Sequence, residues 1–155
     1  MGLDSRAPCT SGAQYSGELY RYTMPEYAEG TWNLYQRNID SNHRYSPPGV
    51  GAIYAGTTPQ TSLAEVTSYE PLKGQVLVTK NFVINNVLDL TNPAARQALG
   101  VTVDQLTQPS HGGAAYDTTQ AISTWAREQG YHAILAPSAQ LQGGVNLISF
   151  KPLGR

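Results

Sequence analysis

The chain predicts an α+β domain, with several strands around one or two docked helices. Three observations carry that expectation. Glu18 to Thr23 alternates and is rich in Tyr. Gln75 to Ile84 and Val87 to Leu90 are dominated by β-branched and apolar residues, as buried strands are. Thr58-Pro59 and Asp117-Thr-Thr-Gln120 carry helix-start chemistry, the first as a Thr N-cap followed by Pro, the second as a capping-box spacing.

Taken in order, residues 1–16 lack periodicity and read as a flexible leader, and 17–155 as a single domain. Glu18 to Thr23 is the first strand and carries Arg21. Gly30 to His43 reads as loop with some strand. Tyr45-Ser46-Pro47-Pro48-Gly49 is a turn, since the prolines restrict φ and Gly49 permits φ > 0. Gly51 to Ala55 is a short buried strand. The helix opened by Thr58-Pro59 runs to about Tyr69, with Leu63 and Val66 on one side and Ser62, Glu65 and Tyr69 on another. Gln75 to Ile84 and Val87 to Leu90 are two further strands. Pro93 to Leu99 is a short helix, followed by a helical turn over Thr102 to Leu106. The helix starting at Asp117 packs Ala121, Ile122, Trp125 and Ala126 and stops at Gly130. Ala133 to Ala136 and Asn146 to Lys151 are the last strands, with a Gly143-Gly144 turn between them.

Composition narrows the function classes. At 155 residues the chain suits one domain with a real core. A net charge of −1 argues against general affinity for nucleic-acid backbones, so no general DNA binding is expected. No apolar run approaches the ~20 residues that span a bilayer. Charged residues make up 14%, below the roughly 25% of an average soluble domain, so each charge in a motif carries more information. Cys9 stands alone and His43, His111 and His132 have no ligand spacing, so no metal site is expected.

The chemistry concentrates between Arg44 and Glu65. Arg44 precedes the Pro-Pro-Gly turn, and its guanidinium fork matches phosphate oxygens; as a surface Arg it would bond loop carbonyls instead. Tyr54, ten residues on, offers a π-face for a cationic nicotinamide ring, or simply half-buries in a sheet. Glu65, eleven residues further, lies on the Thr58 helix and could stabilise a ribosyl oxocarbenium ion; the plain alternative is a solvated helix carboxylate. Departing nicotinamide already carries its charge on the ring nitrogen, so one carboxylate suffices without a general acid. Arg21 could add a phosphate contact or serve as a strand-edge residue. Ser138 could bond ribose or phosphate or act as an ordinary turn residue, and Asn146 is a weaker candidate of the same kind. Seven of the ten Tyr lie at or before Tyr54 and could wall an adenine or target site. His111-Gly112-Gly113 reads as a mobile connection rather than an anion loop.

Together these blocks resemble the RES domain family. The matching segments are Leu19-Tyr20-Arg21, Arg44-Tyr-Ser-Pro-Pro-Gly, Ala52-Ile-Tyr54-Ala, Ser62-Leu-Ala-Glu65-Val, Thr119-Gln120-Ala-Ile, Ala136-Pro-Ser138-Ala and Asn146-Leu, in family order across about residues 18–151. The resemblance implies an ADP-ribosyltransferase-like fold, with small β-sheets forming a central NAD cleft and flanking helices. It also implies a bacterial toxin that consumes NAD+, with Arg44, Tyr54, Glu65 and Ser138 in the family roles and Arg21 beside them. Many members carry Trp-Asn after the Arg, where this chain has Tyr45-Ser46. Met1-Gly2-Leu3-Asp4 is similar to the end of the DPxGL motif that closes Rhs-repeat shells before their toxin tips. That second resemblance implies delivery into rival bacteria, action in the bacterial cytoplasm and a cognate immunity protein or antitoxin over the cleft. The reading leans to transfer of ADP-ribose to a macromolecular acceptor, a bacterial protein or RNA. NAD+ depletion by a glycohydrolase or phosphorylase is the alternative, and an inactive nucleotide- or partner-binding module is the second.

Overall fold

Strands β1 (Ala13–Thr23), β2 (Ile53–Gly56), β3 (Val76–Asp89), β4 (Ala133–Pro137) and β5 (Val145–Ser149) close into one barrel in the order β1-β2-β5-β4-β3. The structure is a computed structural model that describes residues 12–109 and 113–154. Met1 to Asp4, Cys9, His111 and Gly112 lie outside those residues. The mixed α+β class is as expected, but the strands form a single closed sheet where several small ones were expected.

The reason is β3. Its first part pairs antiparallel with β1, from Val76 opposite Thr23 to Ile84 opposite Tyr15. Its last part, Val87 to Asp89, pairs parallel with Ala133 to Leu135 of β4. The two strands expected here are therefore one strand with a bend. The register slips between Ala13 and Tyr15, and Asn86 takes a left-handed φ of 58°. Asn tolerates that region, and the extra residue forms a bulge that sharpens strand twist. Asn86 Nδ2 donates to the Gly130 carbonyl at 2.7 Å, and His132 N donates to the Asn86 carbonyl at 2.9 Å. These bonds bind the bend to the end of the last helix.

The leader boundary is also corrected. β1 begins at Ala13, so residues 13–16 belong to the sheet. Ala13, Tyr15 and Gly17 alternate in burial with exposed Gln14, Ser16 and Glu18. The period is strand-like, but its apolar members are small or hydroxylated, which hides it from hydropathy.

Among the described residues five α-helices decorate the barrel: α1 (Gln36–Asp40), α2 (Pro59–Val66), α3 (Pro93–Leu99), α4 (Val103–Leu106) and α5 (Ala114–Glu128). α1 falls in a segment expected to hold some strand. α5 starts three residues before Asp117, with Gly113 at its N-cap, so Asp117 sits in the first turn, where a carboxylate faces the positive end of the helix dipole. Ile122, Trp125 and Ala126 are buried as expected, and Gly130 (φ 87°) follows the helix end.

Alternation along the strands divides the core. Leu19, Ile53, Ala55, Ile84, Val87, Ala133 and Leu147 fill the barrel with Trp32. Their neighbours Ala52, Leu88, Ile134, Ala136 and Ile148 face outward and pack with Leu106, Ile122, Trp125 and Ala126. Tyr54 packs against this second cluster, on the same strand face as Ala52.

α2 carries Glu65. Thr58 caps it as expected, with Oγ1 accepting from Thr61 N at 3.1 Å. The helix ends at Val66, three residues short of Tyr69. Its buried residues are Thr61 and Ser62, while Leu63 is 39% exposed. Glycines explain this polar buried face: a Cβ on Gly56 would come within 2.6 Å of Ser62 N, and one on Gly144 within 2.7 Å of Thr61 Oγ1. Such close approach leaves room only for small side chains on the helix. Thr58→Ala is expected to lower stability by about 1 kcal/mol through loss of the cap, read as a fall in the denaturation midpoint at unchanged slope.

Candidate active site

Arg44 occupies a tighter turn than the sequence suggests. His43 N donates to the Ser46 carbonyl at 2.9 Å and Ser46 N to the His43 carbonyl at 3.1 Å, so Arg44 and Tyr45 form the tip of a four-residue turn. Pro47 to Val50 makes a second turn immediately after it. α5 docks this loop. Thr119 Oγ1 donates to the Arg44 carbonyl, Gln120 Nε2 donates to the His43 carbonyl at 2.8 Å and to Asn42 Oδ1 at 2.7 Å, and the Arg44 guanidinium lies 5.2 Å from the Tyr116 ring centre. Thr119 and Gln120 thus belong to the site as supports, which gives their sequence block a physical role.

Tyr54 comes up from β2 beneath the same loop. Its hydroxyl accepts from Tyr45 N at 2.9 Å and shares a 2.9 Å hydrogen bond with Ser46 Oγ. Ser46, one of the two departures from the family pattern, is fully buried and holds this tyrosine. Burial pushes the Tyr54 hydroxyl well above its ordinary pKa, so it stays protonated across the biological range.

Arg21 lies beneath that strand. Nε donates to Thr31 Oγ1 at 3.0 Å and Nη1 donates to the Tyr54 carbonyl. Burial lowers its pKa to about 10, which leaves it cationic at neutral pH. Much of its donor capacity thus serves the protein, although the residue still lines the cavity.

Glu65 is held from the opposite wall. Ser138 Oγ and Asn146 Nδ2 each donate to Glu65 Oε2 at 2.6 Å. Ser138 Oγ in turn accepts from Gln140 N and Leu141 N, both at 3.1 Å. A hydroxyl carrying two backbone donors must point its single proton elsewhere, here at the carboxylate. Expected as cofactor contacts, Ser138 and Asn146 are engaged in this structure with the carboxylate of Glu65.

All these walls meet at one cavity of about 270 Å³, near the lower end of the size range of small-molecule sites. Arg21, Arg44, Tyr54, Glu65 and Asn146 line it; Ser138 reaches it through Glu65. A guanidinium and a carboxylate 21 positions apart therefore face one space. Residues not singled out in the sequence also contribute, His43 and Tyr116 foremost. His43 stands edge-on to Tyr54 with ring centres 5.5 Å apart. Burial, then the Arg21 charge, lowers its pKa, which favours a neutral imidazole. Its adjacency to Arg44 in the turn was the one available sequence signal. Tyr116 had none, because its place depends on how α5 docks.

Over 114 residues the chain is 35% identical to a Mycobacterium tuberculosis protein named Probable NAD(+) phosphorylase, a match covering 70% of this chain and 52% of that protein. The chain thus spans about half the length of the curated relative it matches. A chain in the crystal structure of the M. tuberculosis MbcT–MbcA toxin–antitoxin complex superposes with a TM-score of 0.68 at 23% identity, covering 96% of this chain and 83% of that one, which shows a shared fold. The RES domain family model matches residues 18–154, nearly the whole chain, and the protein belongs to that family.

Proposed function

We propose that this RES domain cleaves the nicotinamide–ribose bond of NAD+ and depletes the dinucleotide, with water or phosphate capturing the ribosyl cation. The observation that carries the reading is the meeting of Arg44, Tyr54 and Glu65 at one cavity, with Glu65 Oε2 fixed by two donors. Arg44 supplies the charge that holds the pyrophosphate, in an ADP-ribosyltransferase-like arrangement of the cleft. Tyr54 offers its ring to the cationic nicotinamide. As the glycosidic bond lengthens, positive charge grows on the ribose, and the oriented Glu65 carboxylate stabilises it without having to reorganise. Ser138 and Asn146 act through Glu65 as positioning residues, and Arg21 through the strand of Tyr54.

Transfer of ADP-ribose to a macromolecule, favoured from the sequence, now ranks second. One relative is named a probable NAD(+) phosphorylase, which supports capture by a small nucleophile. The structural neighbour was solved with an antitoxin, which supports a cognate antitoxin as this chain's partner too. Incubation with labelled NAD+ in a bacterial lysate tests the branch point. Label is expected only in free ADP-ribose or its phosphate; label in a protein or RNA band would restore the transferase reading, and intact NAD+ would remove both.

A further inference from the structure

A second, smaller cavity adjoins the first. It measures about 30 Å³ and is lined by Arg44, Tyr45, Tyr54, Glu65, Asn146 and Ile148, among others. Four of these residues also line the main cavity, so the two spaces share a polar wall. Tyr45 is 3% exposed, and among the described residues its hydroxyl has no hydrogen-bond partner. A buried hydroxyl without a protein partner costs stability unless something else meets it. Tyr45 lines this small space together with Arg44 and Glu65.

The size of the space selects its occupant. One water needs roughly 10–15 Å³ of such volume and two or more polar partners. The cavity meets both requirements, whereas the five heavy atoms of orthophosphate exceed it. We infer that Tyr45 and Glu65 hold one water in this cavity and that this water is the nucleophile that captures the ribosyl cation, so that the domain hydrolyses NAD+ even where phosphate competes. The inference rests on the NAD+-cleaving reading above and names its acceptor. In the step, the carbon–nitrogen bond breaks with its electron pair passing to the pyridinium nitrogen, and neutral nicotinamide leaves. The water oxygen bonds to the anomeric carbon, and the proton it loses passes to the Glu65 carboxylate. Tyr45 is a positioning residue. Burial holds its hydroxyl protonated, so it presents a donor to the water oxygen while Glu65 accepts from the water hydrogen.

Product partition tests the assignment. Wild-type protein is incubated with NAD+ with and without orthophosphate, and nicotinamide, ADP-ribose and ADP-ribose phosphate are quantified. Tyr45→Phe is expected to lower the ratio of ADP-ribose to its phosphate by about tenfold, the worth of one hydrogen bond, at unchanged KM for NAD+. A general loss of folded protein would lower all products together and leave the ratio where it was. An unchanged ratio in the variant overturns the water site. So does a wild-type enzyme that releases nicotinamide only when phosphate is present, although NAD+ cleavage itself would then stand. No nicotinamide under either condition removes the parent reading and this inference with it. A high-resolution crystal structure of the wild-type protein provides a readout independent of turnover: density for a water within hydrogen-bond distance of both Tyr45 Oη and Glu65 is expected, and a dry cavity overturns the proposal.

Discussion

Replacing Glu65 by Gln is expected to slow nicotinamide release by about 100-fold or more, the usual cost of losing one preorganised transition-state contact, while NAD+ affinity changes little. The substitution is isosteric, and the geometry favours a folded variant. The Gln carbonyl oxygen can accept from Ser138 Oγ and Asn146 Nδ2 as Glu65 Oε2 does, so the local network survives without its charge. What disappears is the negative charge beside the developing cation. Ground-state NAD+ has no such cation at the ribose, so binding measured by calorimetry should barely move. Wild-type release rates from the variant would return Glu65 to the role of an ordinary helix carboxylate and leave a nucleotide-binding module as the better description.

The second large effect falls on binding. Arg44→Ala is expected to weaken NAD+ binding by about 1.5–3 kcal/mol, the worth of one charge-assisted contact. The turn should survive, because its reciprocal His43–Ser46 bonds and the Thr119 bond to the residue 44 carbonyl involve backbone atoms of residues 43, 44 and 46. Arg44→Lys should recover only part of the loss, since an ammonium cannot engage two phosphate oxygens through a planar fork. An affinity untouched by the Ala variant would take Arg44 out of the pyrophosphate site. The two substitutions thus divide the site: one is read in the rate of bond cleavage, the other in the dissociation constant.

The legible parts of this protein were those written in local chemistry. Thr58-Pro59 specified the start of α2, and the helices over Pro93 to Leu99 and up to Leu106 lie where the sequence places them, capped by Asn92 and Thr102. The runs after Gln75 were strand throughout, but the Asn86 bulge that makes them one bent strand depends on β1 and β4 pairing with its two ends. The first residues of β1 were missed for a related reason: Gln14, Ser16 and Gly17 carry no hydrophobic signal, and their backbone is held by a partner some seventy positions away. Which face of α2 is buried was not legible, because Gly56 and Gly144 bring the backbone so close that small residues such as Thr61 and Ser62 fit there.

The sequence by itself determined the inventory and its order: an arginine before a rigid turn, a tyrosine on a short strand, a carboxylate on a capped helix, and a later Ser and Asn at two strand ends. Side-chain chemistry and capping are local properties, so they can be read residue by residue. Tertiary structure alone decided what those groups touch. Barrel closure brings β5 and the loop after β4 against α2, so Ser138 and Asn146 grip Glu65, 73 and 81 positions away in the chain. The docking of α5 sets Tyr116 against Arg44 and anchors its turn. Contacts over such separations follow from how strands pair and helices pack across the whole domain, and a linear pattern records neither.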